Sequence, residues 1–386
     1  MSKVQAAIVG IGESRVGNVP DRSALQLQAD AAQAALNDAG LKMSDIDGLL
    51  TTPVRVEHWN MPCGVVAHHL GVKAKFLSTV DLAGASGCGM IHQAAMAIAS
   101  GQCSTVLCVA GQNLLSHGSR AKAVKSMAEG GSAHPQFEVP YGPLVPSLYA
   151  LVAQRHMHEY GTTSEQLAEV AVTIRKHASL NPNAHKRELI TVDDVLKSRM
   201  ITSPLHIFDC AIVSDGAAAC IVTSAERARD LAKKPVHLLG QGYGLRHSYI
   251  GEAMDLTASG ARESGEAAYR SAGLGPGDVD VLQSYENFTG GVLMSIVEHG
   301  FCTPEEVYDF FVVDNLLAPT GKLPLNTSGG NLAECYMHGL GLNIEAVRQI
   351  RGDSTCQVPG AEVAMVGSGP MVTPVSSCIL GSEATL

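Results

Sequence analysis

Gly329-Gly330-Asn331-Leu332-Ala333-Glu334-Cys335-Tyr336-Met337-His338-Gly339 is the stretch from which the rest of the chain is best read. It opens on paired glycines and sets a phenol, Tyr336, two residues before an imidazole, His338. A phenol ionises near pH 10 and an imidazole near 6.5, so proton transfer at Tyr336 differs from proton transfer at a histidine. His338 has two readings, a group that polarises a tyrosine or substrate oxygen and an ordinary loop hydrogen bond. Just upstream lies Asn326-Thr327-Ser328, and further along Gly367-Ser368-Gly369-Pro370, a second glycine-rich loop. Some forty residues before the stretch stands another phenol in Tyr285-Glu286-Asn287-Phe288.

The chain around these loops has 386 residues, 46% of them hydrophobic, enough for a large core and for two or three domains. Aromatics make up 4% and glycines number 40, so the interior is expected to be small aliphatic side chains packed closely. A net charge of −10 without a dense basic run argues against nucleic acid and anionic membrane. The ten cysteines show no C-x-x-C pair, which disfavours a zinc site or disulfide framework and points to reduced thiols. The N-terminus runs straight into a strand pattern, and no apolar run approaches eighteen residues. A cytoplasmic protein is expected.

Element by element, Val4–Val9 reads as a strand, Ser23–Ala39 as a helix stopped by Gly40, and Ile46–Thr51 and Phe76–Leu82 as strands. A helix over Ser86–Ser100 and a strand over Thr105–Ala110 follow. Strand alternating with helix implies an α/β fold with parallel or mixed sheet. The second half echoes the first: Ala39-Gly40-Leu41 with Asp45-Ile46-Asp47 matches Ala272-Gly273-Leu274 with Asp278-Val279-Asp280 at one offset. We therefore expect one half at 1–112 plus 204–232 and the other at 233–386. Residues 113–203 form an insertion, rich in loops and then helical through Leu148–Leu180, placed to cover a substrate. Gly10-Ile11-Gly12 starts like a dinucleotide fingerprint, but Arg15 stands where the third glycine belongs, and a nucleotide site is discounted.

Taken together, Ser214-Asp215-Gly216-Ala217-Ala218-Ala219, Asn326 through Gly330 and Gly367 through Pro370 resemble the thiolase superfamily, in its sterol-carrier-protein-like branch. The resemblance spans nearly the whole chain in family order. It implies a five-layer αβαβα fold of two duplicated halves, usually dimeric. Its reacting positions are all altered here. Gly84, in Gly84-Ala85-Ser86-Gly87, stands at the nucleophilic cysteine. Tyr285 opens the motif that normally reads Asn-Glu-x-Phe. Tyr336 replaces the loop histidine, and Met365 the second cysteine. Without those thiols the usual acyl-cysteine is not expected.

This set of replacements resembles the thiolase-like aldolases of bacterial steroid side-chain degradation. That resemblance implies a carbon–carbon lyase that splits a β-hydroxyacyl-CoA into a ketone and a short acyl-CoA such as propionyl-CoA. Tyr285 and Tyr336 would be its catalytic pair, and His338, in the same loop, stands beside them as a candidate with both of its readings open. The implied assembly is a homodimer joined by a small OB-fold (zinc-ribbon/OB) protein into a heterotetramer. No cofactor or metal is implied; the CoA thioester is substrate.

Retro-aldol cleavage needs a base for the β-hydroxyl, donors for the enolate and an acid for the α-carbon. The two tyrosines divide the proton work, in an order the sequence leaves open. Backbone N–H groups of the loops at Gly84, Gly330 and Gly369 are the candidate oxyanion donors. Arg120, Lys122 and Lys125, in the insertion, are the candidate contacts for CoA phosphates, against a reading as a solvated helix face. Two rival functions stand beside this one. The first is an acyltransferase with a displaced nucleophile, Cys88 or Cys335, although Cys88 lies one helical turn beyond Gly84. The second is a non-catalytic binding subunit that keeps only the fold.

Overall fold

The computed structural model describes residues 6–57, 59–117, 136–247, 250–369 and 374–386. Arg120, Lys122 and Lys125 lie outside the described residues. Nine strands form one sheet: β1 (Ala6–Glu13), β2 (Gly48–Thr51), β3 (Phe76–Thr79), β4 (Thr105–Asn113), β5 (Asp215–Ser224), β6 (Val236–Gly244), β7 (Val281–Ser284), β8 (Val363–Ser368) and β9 (Val375–Gly381). Their order is β3-β2-β4-β5-β1-β6-β9-β8-β7. β2 runs parallel to both β3 and β4, and β8 parallel to β7, while the pairings between are antiparallel. The longer helices are α1 (Ala24–Ala39), α2 (Pro62–Leu70), α3 (Ser86–Ala99), α4 (Val145–Tyr160), α5 (Ser164–Leu180), α6 (Ala261–Ala272), α7 (Thr289–Glu298) and α8 (Leu340–Arg351).

The sheet is continuous only through two residue pairs between β1 and β6, Ala7 with His237 and Ile8 with Val236. About that thin seam it doubles back on itself. Helices α3 and α8 lie side by side, each touching strands of both halves. Outside, α1 covers β1, β4 and β5, and α6 covers β6 and β9. The result is helix, sheet, helix, sheet, helix, the five layers expected. The middle layer buries Cys88, Met90, Ile91, Leu340, Ile344 and Val347. Burying such a side chain contributes roughly 1.5–3 kcal/mol.

Two strand glycine pairs explain how the outer helices approach so closely. A Cβ on Gly10 or Gly12 would sit 2.4 Å from the Ala35 carbonyl oxygen or 2.3 Å from the Ala35 nitrogen of α1. On Gly240 or Gly242 it would sit 2.2 or 2.1 Å from the Ala268 or Ser264 carbonyl oxygen of α6. The Gly-x-Gly that resembles a nucleotide fingerprint is thus a packing device, used once in each half. It is a second repeat, which the sequence reading did not pair. Both covering helices end on a left-handed glycine, Gly40 and Gly273, as the repeated Ala-Gly-Leu block implies.

The expected helical run over 148–180 is two helices instead of one. Gly161 closes α4 in the left-handed region, and Thr163 with Gln166 forms a capping box that starts α5. Among the described residues no helix is long and apolar enough to cross a membrane, and no cluster of His, Cys, Asp or Glu is placed to hold a metal.

Candidate active site

Three chain segments meet where α3 and α8 begin. The turn Ala83–Ala85 leads into α3, Tyr285 follows β7, and the loop from Gly329 to Gly339 leads into α8. The backbone N–H of Gly87 donates to the His338 carbonyl at 3.0 Å, and the Ser368 hydroxyl to the Gly84 carbonyl at 2.5 Å. These bonds fasten the loops together at the helix ends.

The Tyr285 ring takes up the space beside Gly84. A Cβ at position 84 would lie 2.4 Å from the ring Cζ and 2.7 Å from both Cε atoms. A cysteine at position 84 and this phenol therefore exclude one another: the aromatic ring fills the volume that the thiol would need. Gly84 is required for that fit, beyond any role of its N–H.

The Tyr285 and Tyr336 side chains are neighbours, and their interaction disfavours ionisation of Tyr285 and favours it at Tyr336. Burial pushes both phenols up. Tyr285 rises well above the ordinary phenol value, and the neighbouring Tyr336, Tyr149 and Glu286 push it the same way. At Tyr336 burial is opposed by the Arg55 guanidinium and by the neighbouring Tyr285, with Asp81 working against them. Of the two, Tyr336 is the easier to ionise.

His338 stands behind Tyr336. Its Nδ1 lies 3.5 Å from the Tyr336 hydroxyl and its Nε2 lies 2.7 Å from Gln112 Nε2. The Gln112 amide is fixed from its other side: its Oε1 accepts from the Arg55 N–H at 2.9 Å, and its Nε2 donates to the Pro53 carbonyl at 2.9 Å. The amide therefore donates to His338 Nε2, which assigns the imidazole proton to Nδ1, facing the phenol. Burial first, and then Arg55, pull the His338 pKa down to about 4. The ring is neutral at neutral pH and offers Tyr336 a donor. His338 also has φ 53, in the left-handed region, where strain is tolerated when surrounding structure holds it.

A carboxylate the sequence reading did not single out ties the two tyrosine segments together. Glu286 Oε1 accepts from the Asn331 backbone N–H at 2.5 Å and Oε2 from Asn331 Nδ2 at 3.2 Å. At Gly330, φ 47, an added Cβ would lie 1.7 Å from Glu286 Oε1, so that glycine is needed for the approach. Farther along the loop, Glu334 accepts from Asn181 Nδ2 at 2.8 Å and from the Ser328 hydroxyl at 2.6 Å, while Asn181 Nδ2 also reaches the Ser328 carbonyl. The end of α5 thus clamps the loop from outside.

Burial raises the Glu286 pKa to about 7. A carboxyl raised in the folded state contributes stability that is fully present below its unfolded value, 4.5, and lost as pH rises through 7. Replacing it by an uncharged isostere removes that pH dependence. Glu286→Gln is expected to gain stability relative to the parent by roughly 3 kcal/mol between pH 4.5 and pH 8, at about 1.4 kcal/mol per pKa unit. Urea unfolding at the two pH values measures it; a difference independent of pH rejects the account.

Both candidate thiols are structural. The Cys88 sulfur lies 3.5 Å from Asn343 Oδ1 and 3.7 Å from the Val366 carbonyl, buried among α3, α8 and β8. The Cys335 sulfur accepts from the Ser214 hydroxyl at 3.2 Å, and burial drives its pKa far above the ordinary thiol value. A thiol held protonated is a poor nucleophile. Met365 packs in β8 with the Tyr269 hydroxyl 3.1 Å from its sulfur. At Gly369, φ 135, an added Cβ would meet the Pro374 carbonyl oxygen at 2.5 Å. Asp215 is a turn anchor, accepting from the N–H groups of Val19, Leu115 and Ser116.

Comparison with known proteins shows the family. Residues 3–226 match the model of the thiolase N-terminal domain, and residues 242–382 that of the thiolase C-terminal domain-like family. A steroid side-chain-cleaving aldolase of Thermomonospora curvata is 40% identical, covering 98% of each chain. A 17-hydroxy-3-oxo-4-pregnene-20-carboxyl-CoA lyase of Mycobacterium tuberculosis is 38% identical over 98% of this chain and 99% of its own. A solved structure described as an Ltp2-ChsH2(DUF35) aldolase superposes with a TM-score of 0.89 at 38% identity, covering 99% of both chains.

Proposed function

Because the chain belongs to the thiolase family across both of its domains, and has a phenol where a nucleophilic thiol would stand, we propose that it is a carbon–carbon lyase. It cleaves a β-hydroxyacyl-CoA by retro-aldol chemistry. Its relatives, a steroid side-chain-cleaving aldolase and a pregnene-carboxyl-CoA lyase, support a steroid side-chain ester as substrate and a short acyl-CoA, such as propionyl-CoA, as one product. The observation that carries the reading is the Tyr285 ring lodged against Gly84 with Tyr336 as its neighbour.

The roles follow from the order in which the two phenols ionise. Tyr336, steadied by His338 Nδ1–H and Arg55, is the base that takes the β-hydroxyl proton. The bond between the α- and β-carbons breaks, its electrons pass into the thioester as an enolate, and the β-carbon becomes a ketone. Tyr285, kept protonated by burial, delivers its proton to the α-carbon. Tyr336 now carries the proton and Tyr285 the charge. Transfer of that proton from Tyr336 to its neighbour Tyr285 resets the site. Backbone N–H groups around Gly84 and Gly369 are the donors assigned to the enolate oxygen, because those of Gly329, Gly330 and Asn331 are already given to the Asn326 carbonyl, the Ser328 hydroxyl and Glu286; His338 acts on Tyr336.

The same reading includes an assembly. β3 is an edge strand with Leu77 exposed, and Met96 and Tyr243 are exposed nearby on the same end of the molecule. An open edge beside apolar side chains favours pairing with a second copy. The Ltp2-ChsH2(DUF35) neighbour supports a small OB-fold partner completing the CoA site, with Arg120, Lys122 and Lys125 as this chain's share. The direct test is incubation of the purified chain, alone and with a DUF35-type partner, with a steroid CoA ester bearing a tertiary β-hydroxyl. Ketone and short acyl-CoA released in equal amounts are expected. An acyl adduct on Cys88 or Cys335, or no cleavage with the partner present, overturns the reading.

A further inference from the structure

A third phenol joins the pair, brought in by the insertion. Tyr149 lies on α4, 4% exposed, with its ring stacked on Phe288 at 4.6 Å between centroids and 30° between planes. Phe288 belongs to the same Tyr285–Phe288 segment as the candidate acid. The helix is pressed against that segment: a Cβ on Gly290 would already touch Ala153 at 3.4 Å. Tyr149 is close enough to interact electrostatically with both Tyr285 and Tyr336. The Asn287 side chain neighbours its hydroxyl, and the buried Asn287 Oδ1 has no partner among the described residues.

A buried hydroxyl beside an amide, within electrostatic reach of two phenols that move protons, has donor capacity to offer a ligand. An unsatisfied buried polar group costs free energy unless a ligand completes it. We propose that Tyr149 is a substrate-binding residue that donates a hydrogen bond to the β-oxygen, with Phe288 fixing its ring and Asn287 beside its hydroxyl. This rests on the retro-aldol reading and adds to it the group that recognises the reacting oxygen. The β-oxygen enters as a hydroxyl, loses its proton to Tyr336 and leaves as a ketone oxygen, bearing most negative charge between those states. A neutral donor oriented in advance stabilises that charge more than it stabilises the starting alcohol. It also lets the insertion discriminate: an ester with a β-hydroxyl completes Tyr149, and one without leaves it unsatisfied.

The variant Tyr149→Phe keeps the stacked ring and deletes only the hydroxyl. Two CoA esters with one carbon skeleton, with and without the β-hydroxyl, are the probes. Binding is measured in the Tyr336→Phe background, where turnover is stopped, on the complex with its partner. Adding Tyr149→Phe is expected to raise the Kd of the hydroxylated ester at least fivefold and to leave that of the deoxy ester within twofold. In the otherwise unaltered protein it is expected to lower kcat tenfold to a hundredfold on the hydroxylated ester. Equal changes for both esters, or none for either, overturn the assignment. If the lyase reading itself is wrong, the parent releases no ketone from the hydroxylated ester, a result read separately from the binding comparison.

Discussion

Tyr336→Phe and Tyr285→Phe are each expected to lower the cleavage rate by at least about a thousandfold while thermal stability and acyl-CoA binding stay near those of the parent. Positioned acid–base groups commonly contribute 10²–10⁴, and each phenyl ring keeps the packing of the phenol it replaces. The loss at Tyr285 tests acid action, because the ring that fills the space at Gly84 is retained. The double variant is expected to be no worse than the poorer single one, since groups that share one proton circuit fail as a unit. A second readout separates the roles. In D₂O the parent should exchange the α-proton of the short acyl-CoA product, and Tyr285→Phe should abolish that exchange. The parent rate should also rise with pH from 7 to 9, because burial holds Tyr336 above the ordinary phenol pKa and its ionised fraction grows with each unit. Full activity in either variant, or a rate that falls over that range, sinks the assignment.

What the sequence disclosed and what it concealed divide along the range of the interactions. The helix at 24–39 and the strand at 105–113 were legible because caps and apolar periodicity are local. The five layers were legible through family order and the repeated Ala-Gly-Leu block. The break at Gly161 inside the inserted helices was missed although its cue, glycine followed by a capping box, is also local. Tyr285, Tyr336 and His338 were found because each stands in a recognisable loop. Tyr149, Arg55 and Gln112 were not, since each comes from another part of the chain and meets the loop only after folding. Glu286 was quoted in its motif but given no work: nothing local shows that its carboxylate reaches Asn331, 45 residues on. Gly84 was read as a lost nucleophile and a donor, and its steric partnership with Tyr285 shows only in three dimensions.

That partnership gives the second large effect. Gly84→Ala is expected to lower stability by about 1–3 kcal/mol, the usual cost of overpacking a filled core, and to lower activity about a hundredfold, since a displacement near 1 Å at a reacting group costs about that much. The cause is specific. The new methyl carbon would start 2.4 Å from Tyr285 Cζ, so the ring must move away from Tyr336. Gly84 itself is not in the left-handed region, and alanine is compatible with its backbone. The same substitution should therefore change sign where the ring is absent. In a Tyr285→Asn background, which restores the smaller side chain usual at that position in the family, Gly84→Ala should stabilise by about 0.4–1 kcal/mol through reduced freedom of the unfolded chain. In Tyr285→Phe, which keeps the ring, it should still destabilise. Urea unfolding of the single and double variants measures the coupling. Equal costs in all three backgrounds would mean that Gly84 and Tyr285 do not compete for one volume. The argument that a phenol has taken the place of the nucleophile would then fail, even with the fold unchanged.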